Sequence, residues 1–345
     1  MFKKFSAFIF IFACVMAGCS GAKAEEISGK YFSVTIPDDM KNIYTVTKES
    51  NGIMIAEKIS AKAEEGGFAF AVRVYKNPAD YVDLELVSCK KTGELTTAKG
   101  EVYDVVLVQP REIIYADGKE VEENFNRLYN YAPNIEIKET KGNKYAKGKG
   151  LKGEEIYRDV LKKYVKAFTE KWDDENKYKS ADMGFMYNTM LQNDVNLMDK
   201  IGYAYYDINS DGIDELFIGE IAKGKNKGIV YDIYTIVNRK PTHVLSGGHV
   251  DRFFVCDENF ICNESSVTKK DSNLNVYALH KNSKSLDADV MYSYNATNKK
   301  IGPYFVSYGE QTDWQDISKK DFKNGQKYYT SKYMKFDFIP MSQFK

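Results

Sequence analysis

Between two apolar stretches, Ile201–Tyr206 and Leu216–Gly219, the chain runs Asp207-Ile208-Asn209-Ser210-Asp211-Gly212-Ile213-Asp214-Glu215. Oxygen-bearing side chains occupy its first, third, fifth and ninth positions, and glycine the sixth, where the backbone must turn sharply. An ordinary turn needs only two or three such residues. Four carboxylates in so short a run repel one another, and a hard divalent cation relieves the repulsion by collecting oxygen ligands. The expected ion is Ca²⁺, in a structural role. Asp207, Asn209 and Asp211 would offer side-chain oxygens, Ile213 a backbone carbonyl and Glu215 the closing carboxylate. An EF-hand is not expected, because its twelfth position, normally a bidentate Glu, is Ile218. The β-branched and aromatic flanks, without helical period, predict strand–loop–strand.

The first residues carry an address. Met1-Phe-Lys-Lys-Phe5 gives a positive start, the apolar run Phe5–Ala17 follows, and Met16-Ala17-Gly18-Cys19 ends it. That run is too short to span a membrane and reads as a secretory signal. The Ala-Gly-Cys ending resembles the bacterial lipobox, which implies removal of residues 1–18, acylation of Cys19 and a membrane anchor outside the cytoplasm. Ordinary secretion, with cleavage after Ala22-Lys23-Ala24, is the alternative. Loss of Lys3 and Lys4 leaves 47 basic against 49 acidic residues, a net of −2. No dense basic face exists to hold nucleic acid. Cys89, Cys256 and Cys262 remain. Cys256 and Cys262 flank a strand–turn–strand pattern and are read either as a disulfide or as two buried thiols.

The fold class expected is α+β, with two domains, each a mainly antiparallel sheet with a few packed helices. After a tether over 19–27, the first domain covers 28–137, with strands at Tyr31–Ile36, Gly52–Ile59, Phe68–Tyr75 and Val102–Val108. Helices are expected from Asn77 to about Leu86 and over Val121–Tyr131. Residues 138–153 alternate Lys with Gly and predict a solvated linker. The second domain, 154–345, opens on a helix whose stripe is Ile156, Val160, Tyr164, Phe168 and Trp172, widened by Leu161 and Val165. A Met-rich helix is expected at Asp182–Leu191, then a meander of short strands from Gly202 onward and a helix within Trp314–Tyr329.

Two resemblances accompany this reading. Phe32-Ser-Val-Thr-Ile-Pro37 and Gly66–Tyr75 are similar to small PsbP-like domains of bacterial lipoproteins, which implies a fold and no activity. Ile201–Gly219, followed by Tyr231-Asp-Ile-Tyr-Thr235, resembles a domain recurrent in surface lipoproteins of anaerobic bacteria. It covers about residues 155–280 and implies a calcium loop and an extracytoplasmic location.

Catalytic signatures are sparse. The chain holds neither a G-x-S-x-G elbow nor H-E-x-x-H nor a phosphate-cradling glycine loop. Ser266-Val-Thr-Lys269 and Lys91-Thr-Gly93 match fragments of penicillin-recognising enzymes in reversed order, and are read as chance. Ser246-Gly-Gly248 reads as a turn. His249, Asp251 and Ser265 or Ser266 permit a triad to be drawn, with a surface pair the simpler reading. Tyr203–Tyr206, Tyr292–Tyr294 and Tyr304–Tyr308 suggest either cross-strand packing or an aromatic face for a protein or glycan. The expectation is a non-catalytic binding or envelope-interaction protein. The alternative is an extracytoplasmic hydrolase acting on cell-wall or carbohydrate material.

Overall fold

The structure, a computed structural model, describes residues 24–345 apart from 83, 141, 186–195, 249, 267, 269, 298–301 and 310–312. Strand outweighs helix, 41% against 24%, and the strand pairs are antiparallel, so the fold is α+β. The first half contains β1 (Glu25–Ser28), β2 (Phe32–Ile36), β3 (Tyr44–Lys48), β4 (Gly52–Glu57), β5 (Phe68–Tyr75), β6 (Val87–Thr96), β7 (Val102–Pro110), β8 (Glu136–Glu139) and β9 (Lys144–Lys147). They form a three-stranded sheet, β1-β2-β8, and a six-stranded sheet, β3-β4-β5-β7-β6-β9. The second half contains β10 (Ile201–Tyr206), β11 (Glu215–Glu220), β12 (Val230–Val237), β13 (Lys240–Ser246), β14 (Asp251–Cys256) and β15 (Phe260–Ser265). It continues with β16 (Asp271–Leu279), β17 (Leu286–Asn295), β18 (Tyr304–Tyr308), β19 (Gln315–Asp316) and β20 (Ile339–Pro340). These make one sheet in the order β19-β18-β17-β16-β15-β14-β12-β11-β10-β20, with β13 also paired to β12.

Burial explains the layering. Every residue of β2 is buried, and Phe32, Val34 and Ile36 share a core with Ile53, Ile55, Phe70, Val105, Phe125 and Leu128. Helix Lys119–Tyr131 supplies the last two and lies on β4 and β5. In the second half, helix Arg158–Thr169 buries Val160, Leu161, Tyr164 and Phe168, as the stripe predicted, against Ile201, Leu216, Ile218 and Tyr234. The helix near the C-terminus, Lys319–Thr330, is capped by Ser318 and packs on β17 and β18.

Besides the expected tether over 19–27, whose end lies instead in strand β1 (Glu25–Ser28), paired with β2, four local expectations change. The strand foreseen at Gly52–Ile59 stops at Glu57, whose buried carboxylate accepts from the Ile59 and Ser60 N–H groups and starts helix Lys58–Ala63. The helix foreseen from Asn77 to Leu86 is only Ala79–Val82. A helix lies at Glu175–Ser180, capped by Asp174, whereas Asp182 to Phe185 are not helical and the rest of the expected Met-rich helix lies outside the described residues.

Residues 138–153 are the fourth correction. They are not a free linker: β8 pairs with β2, β9 pairs with β6, and Gly153–Ile156 forms a helical turn. The lysines mislead because both strands are sheet edges, where alternate positions face water. The inward position is Tyr145, whose hydroxyl donates to the Thr92 carbonyl, and Asn143 Nδ2 donates to the Tyr31 carbonyl. Gly142 and Gly148, each with φ +78, serve the connecting turns.

Candidate cation-binding loop and the seam around it

The hairpin β10–β11 closes at the pair Tyr206–Glu215, so residues 207–214 form the loop between paired strands that the sequence predicted. Ser210 and Gly212, at φ +57 and +94, turn the chain back on itself. Asp207 accepts from the Asp211 and Gly212 N–H groups at 3.1 and 2.9 Å. Asn209 Oδ1 also accepts from Asp211 N–H, and Asp211 Oδ1 from Ile213 N–H at 2.8 Å. Glu215 accepts from Ile208 N–H, from the Thr235 hydroxyl and from Asn209 Nδ2. Ile213 buries its side chain in the core. Thus the loop folds around its own acidic side chains.

Their electrostatics follow from depth. Asp211 is 5% exposed and Glu215 fully buried. Burial, joined by the Asp207 charge, pushes the Asp211 carboxyl up to about 7, against the pull of Ile213 N–H, Lys281 and Lys91. Burial, with the Asp211 charge second, holds Glu215 well above the usual carboxylate range, and burial raises Asp207 as well. Asp214 turns its carboxylate to Gly153 N–H and lies 3.6 Å from Lys152, while its charge still adds to the rise at Asp207. Asp211 thus feels the Asp207 charge, and Glu215 the charges of both. In this arrangement loop N–H groups occupy their oxygens, and among the described residues no three His, Cys, Asp or Glu side chains are drawn up as a ready ligand cluster.

The outside of the loop rests on the first half of the chain, which the sequence did not reveal. Lys91 N–H donates to the Asp211 carbonyl at 2.8 Å. Lys281 Nζ donates to Ser210 O and Cys89 O, one carbonyl from each side of the seam. Beside it Asp104, 1% exposed, meets Lys91 at 3.0 Å, Arg239 at 3.1 Å and the Tyr81 hydroxyl at 3.2 Å. Gly212 faces this seam so closely that a Cβ there would sit 2.5 Å from Lys91 O. Gly212→Ala, strained both by that contact and by its positive φ, is expected to lose about 1–3 kcal/mol of stability, read from chemical denaturation. A variant as stable as the parent would show that the loop is not held against β6.

A second polar centre also escaped the sequence reading. Asp232, fully buried in β12, accepts from Tyr164 Oη at 2.6 Å, Gly184 N–H at 3.1 Å and Ser246 Oγ at 2.5 Å, with His243 Nε2 at 2.9 Å. Ser246 Oγ also lies 3.0 Å from His243 Nε2, and His243 Nδ1 lies 3.5 Å from Asp182. Burial works against charge on the imidazole, but the Asp232 hydrogen bond and the Asp232 and Asp182 charges outweigh it and raise the His243 pKa. The available clue was an aspartate inside the apolar run Val230–Val237, since a charge there needs several donors.

Of the remaining candidates, Cys19 and His249 lie outside the described residues. Asp251 pairs across the ladder with Ser265, and Asn263 Nδ2 reaches Asp251 at 3.4 Å. Cys256 and Cys262 are free, buried thiols with their sulfurs 2.9 Å apart, and Cys89 is a third buried thiol. Most named tyrosines pack inward: Tyr205 stacks on Tyr157, and Tyr292 and Tyr304 meet Phe322. Compared with protein-family models, curated proteins and solved structures, the chain finds no match.

Proposed function

We propose that this chain is an extracytoplasmic two-domain lipoprotein, anchored through acylated Cys19, that binds a protein or glycan at the envelope without catalysis. Its second domain is stiffened by one Ca²⁺ held by Asp207, Asn209, Asp211, the Ile213 carbonyl and Glu215. What supports the ion is the burial of Asp207, Asp211 and Glu215 in one loop, which raises all three pKa values, helped at Asp211 by the Asp207 charge and at Glu215 by the charges of both aspartates. The ion would displace loop N–H groups from these oxygens and supply the missing positive charge. Titration calorimetry of Ca²⁺ into chelated protein is expected to show one site, absent in Asp207→Ala and Asp211→Ala. At free calcium about a hundredfold above Kd the added stability is about 2.7 kcal/mol. The absence of both heat and a melting shift would remove the ion from this account. For the anchor, mass spectrometry of the membrane-extracted N-terminus should find a lipid on Cys19; an unmodified start at Glu25 excludes it. In an oxidising compartment Cys256 and Cys262 pass two hydrogens to an external disulfide and join, which intact mass before and after reduction detects.

A second reading, a hydrolase acting on cell-wall or carbohydrate material, draws on one observation. Ser246 Oγ, His243 Nε2, His243 Nδ1 and Asp182 stand in sequence at 3.0 and 3.5 Å, the connectivity of a nucleophile, its base and an orienting acid. Against it, Ser246 gives its proton to Asp232 at 2.5 Å, not to the imidazole. A fluorophosphonate probe decides between them: labelling of Ser246 that disappears in His243→Ala supports the hydrolase, and an unlabelled protein supports the binding role.

A further inference from the structure

A cleft of about 260 Å³ opens between strands β14–β16 and helix Lys319–Thr330. We propose that it binds one ring of a neutral, hydroxyl-rich ligand, a pyranose unit, which gives the binding role above its ligand class and rests on that role, not on the calcium loop. The first ground is charge. Among the described residues the only ionic groups lining the cleft are Arg252 and Glu264, which pair with each other at 2.6 Å, while Tyr333 Oη donates to Glu264 at 3.1 Å. A lone anion would meet Glu264 and a lone cation Arg252, so neither gains from entering. The pair's remaining donors and acceptors suit a neutral polar partner.

The second ground is hydrogen-bonding capacity open to a ligand. Gln326 and Thr330 on the helix wall and Ser272 on the strand wall line the cleft, and their side chains hydrogen-bond to no described residue. Asn273 adds an amide whose Nδ2 reaches Ser265 at 3.5 Å. Each of these side chains can both donate and accept. A sugar hydroxyl has the same dual capacity, so a ring offering several of them can engage both walls at once. Amphipathic faces of such a ring also need apolar surface, which exposed Val250 in the cleft lining provides.

The third ground is rigidity and size. Arg252, Glu264 and Leu274 stand opposite one another in adjacent strands. The helix is fixed by buried Phe322 and by Gly325, where the Tyr292 ring leaves no room for a side chain. Walls set in this way spare the ligand an ordering cost. The volume falls just under the ~300–1,000 Å³ of sites for drug-sized molecules, so a single ring fits better than a longer stretch of chain.

Saturation-transfer NMR and calorimetry on the full chain, with glucose and N-acetylglucosamine as probes, test this. At least one sugar is expected to bind saturably. Gln326→Leu and Ser272→Val should each weaken it about tenfold, with circular dichroism and melting temperature unchanged. No transfer to either sugar, or equal binding in both variants, overturns the proposal. Its failure is separable from that of the binding role: an unlabelled fluorophosphonate experiment leaves the non-catalytic reading standing even if both sugars are silent. Conversely, Asp207→Ala, expected to abolish calcium uptake, should leave sugar affinity unchanged.

Discussion

Asp232→Ala is expected to lower the stability of the protein by about 3–5 kcal/mol, the cost of removing one partner from a buried charged network. Four donors converge on this carboxylate from three separate places: Tyr164 on the helix, Gly184 after it, and His243 and Ser246 on β13. Truncation strands the buried Tyr164 hydroxyl and Gly184 N–H, while His243 and Ser246 keep access to water. Asp232→Asn keeps the volume and one acceptor, so its loss should be smaller, about 1–3 kcal/mol. The pH dependence has a definite sign. The folded pKa of His243 is raised, so its contribution is fully present below the ordinary imidazole pKa and disappears as pH rises through the higher folded value. In Asp232→Asn that slope should flatten. Urea denaturation at pH 5.5 and 8 measures both effects. An alanine variant within about 1 kcal/mol of the parent would mean that the network contributes little.

The elements with strong periodic patterns were legible in the sequence, and the contacts between distant segments were not. The Val160–Tyr164–Phe168 stripe marked a helix and its buried face because spacing alone decides both. The loop between Tyr206 and Leu216 was likewise readable, since its oxygen pattern and apolar flanks are local. What no local pattern encodes is that Asp211 presents its carbonyl to Lys91, or that Lys281 bridges Ser210 and Cys89. Those contacts join residues more than seventy positions apart, and both partners look like ordinary surface lysines. The Lys/Gly stretch failed differently. Composition reported its solvent-facing side chains correctly, but edge strands draw their order from backbone pairing, which lysine and glycine do not advertise. Glu57 shows the same limit in miniature: a capping carboxylate inside a β-rich run turned a strand into a helix start.

Deprived of divalent cation, the protein is expected to lose stability as pH rises from about 4 to above 7, the opposite of the usual behaviour of ion-paired carboxylates. Asp211 shows why. Its folded pKa of about 7 stands above the ordinary 3.8, so between these values the folded state holds a proton that the unfolded chain has released. Raising the pH strips that proton and leaves a charge buried beside Asp207 and Glu215. Once pH exceeds 7 the folded state carries the whole of that cost. Calcium should cancel this penalty, so the gap in melting temperature between calcium-loaded and chelated protein is expected to widen from pH 5 to pH 8. His243 contributes a slope of the same sign, which Asp211→Asn separates. That variant carries no charge at the crowded position, so it should exceed the parent in stability at pH 8 in chelator, respond weakly to calcium, and retain the histidine slope. A parent protein whose melting temperature in chelator is flat or rising across this range would show that the three acids do not confront one another in the folded state, and the case for a cation among them would go with it.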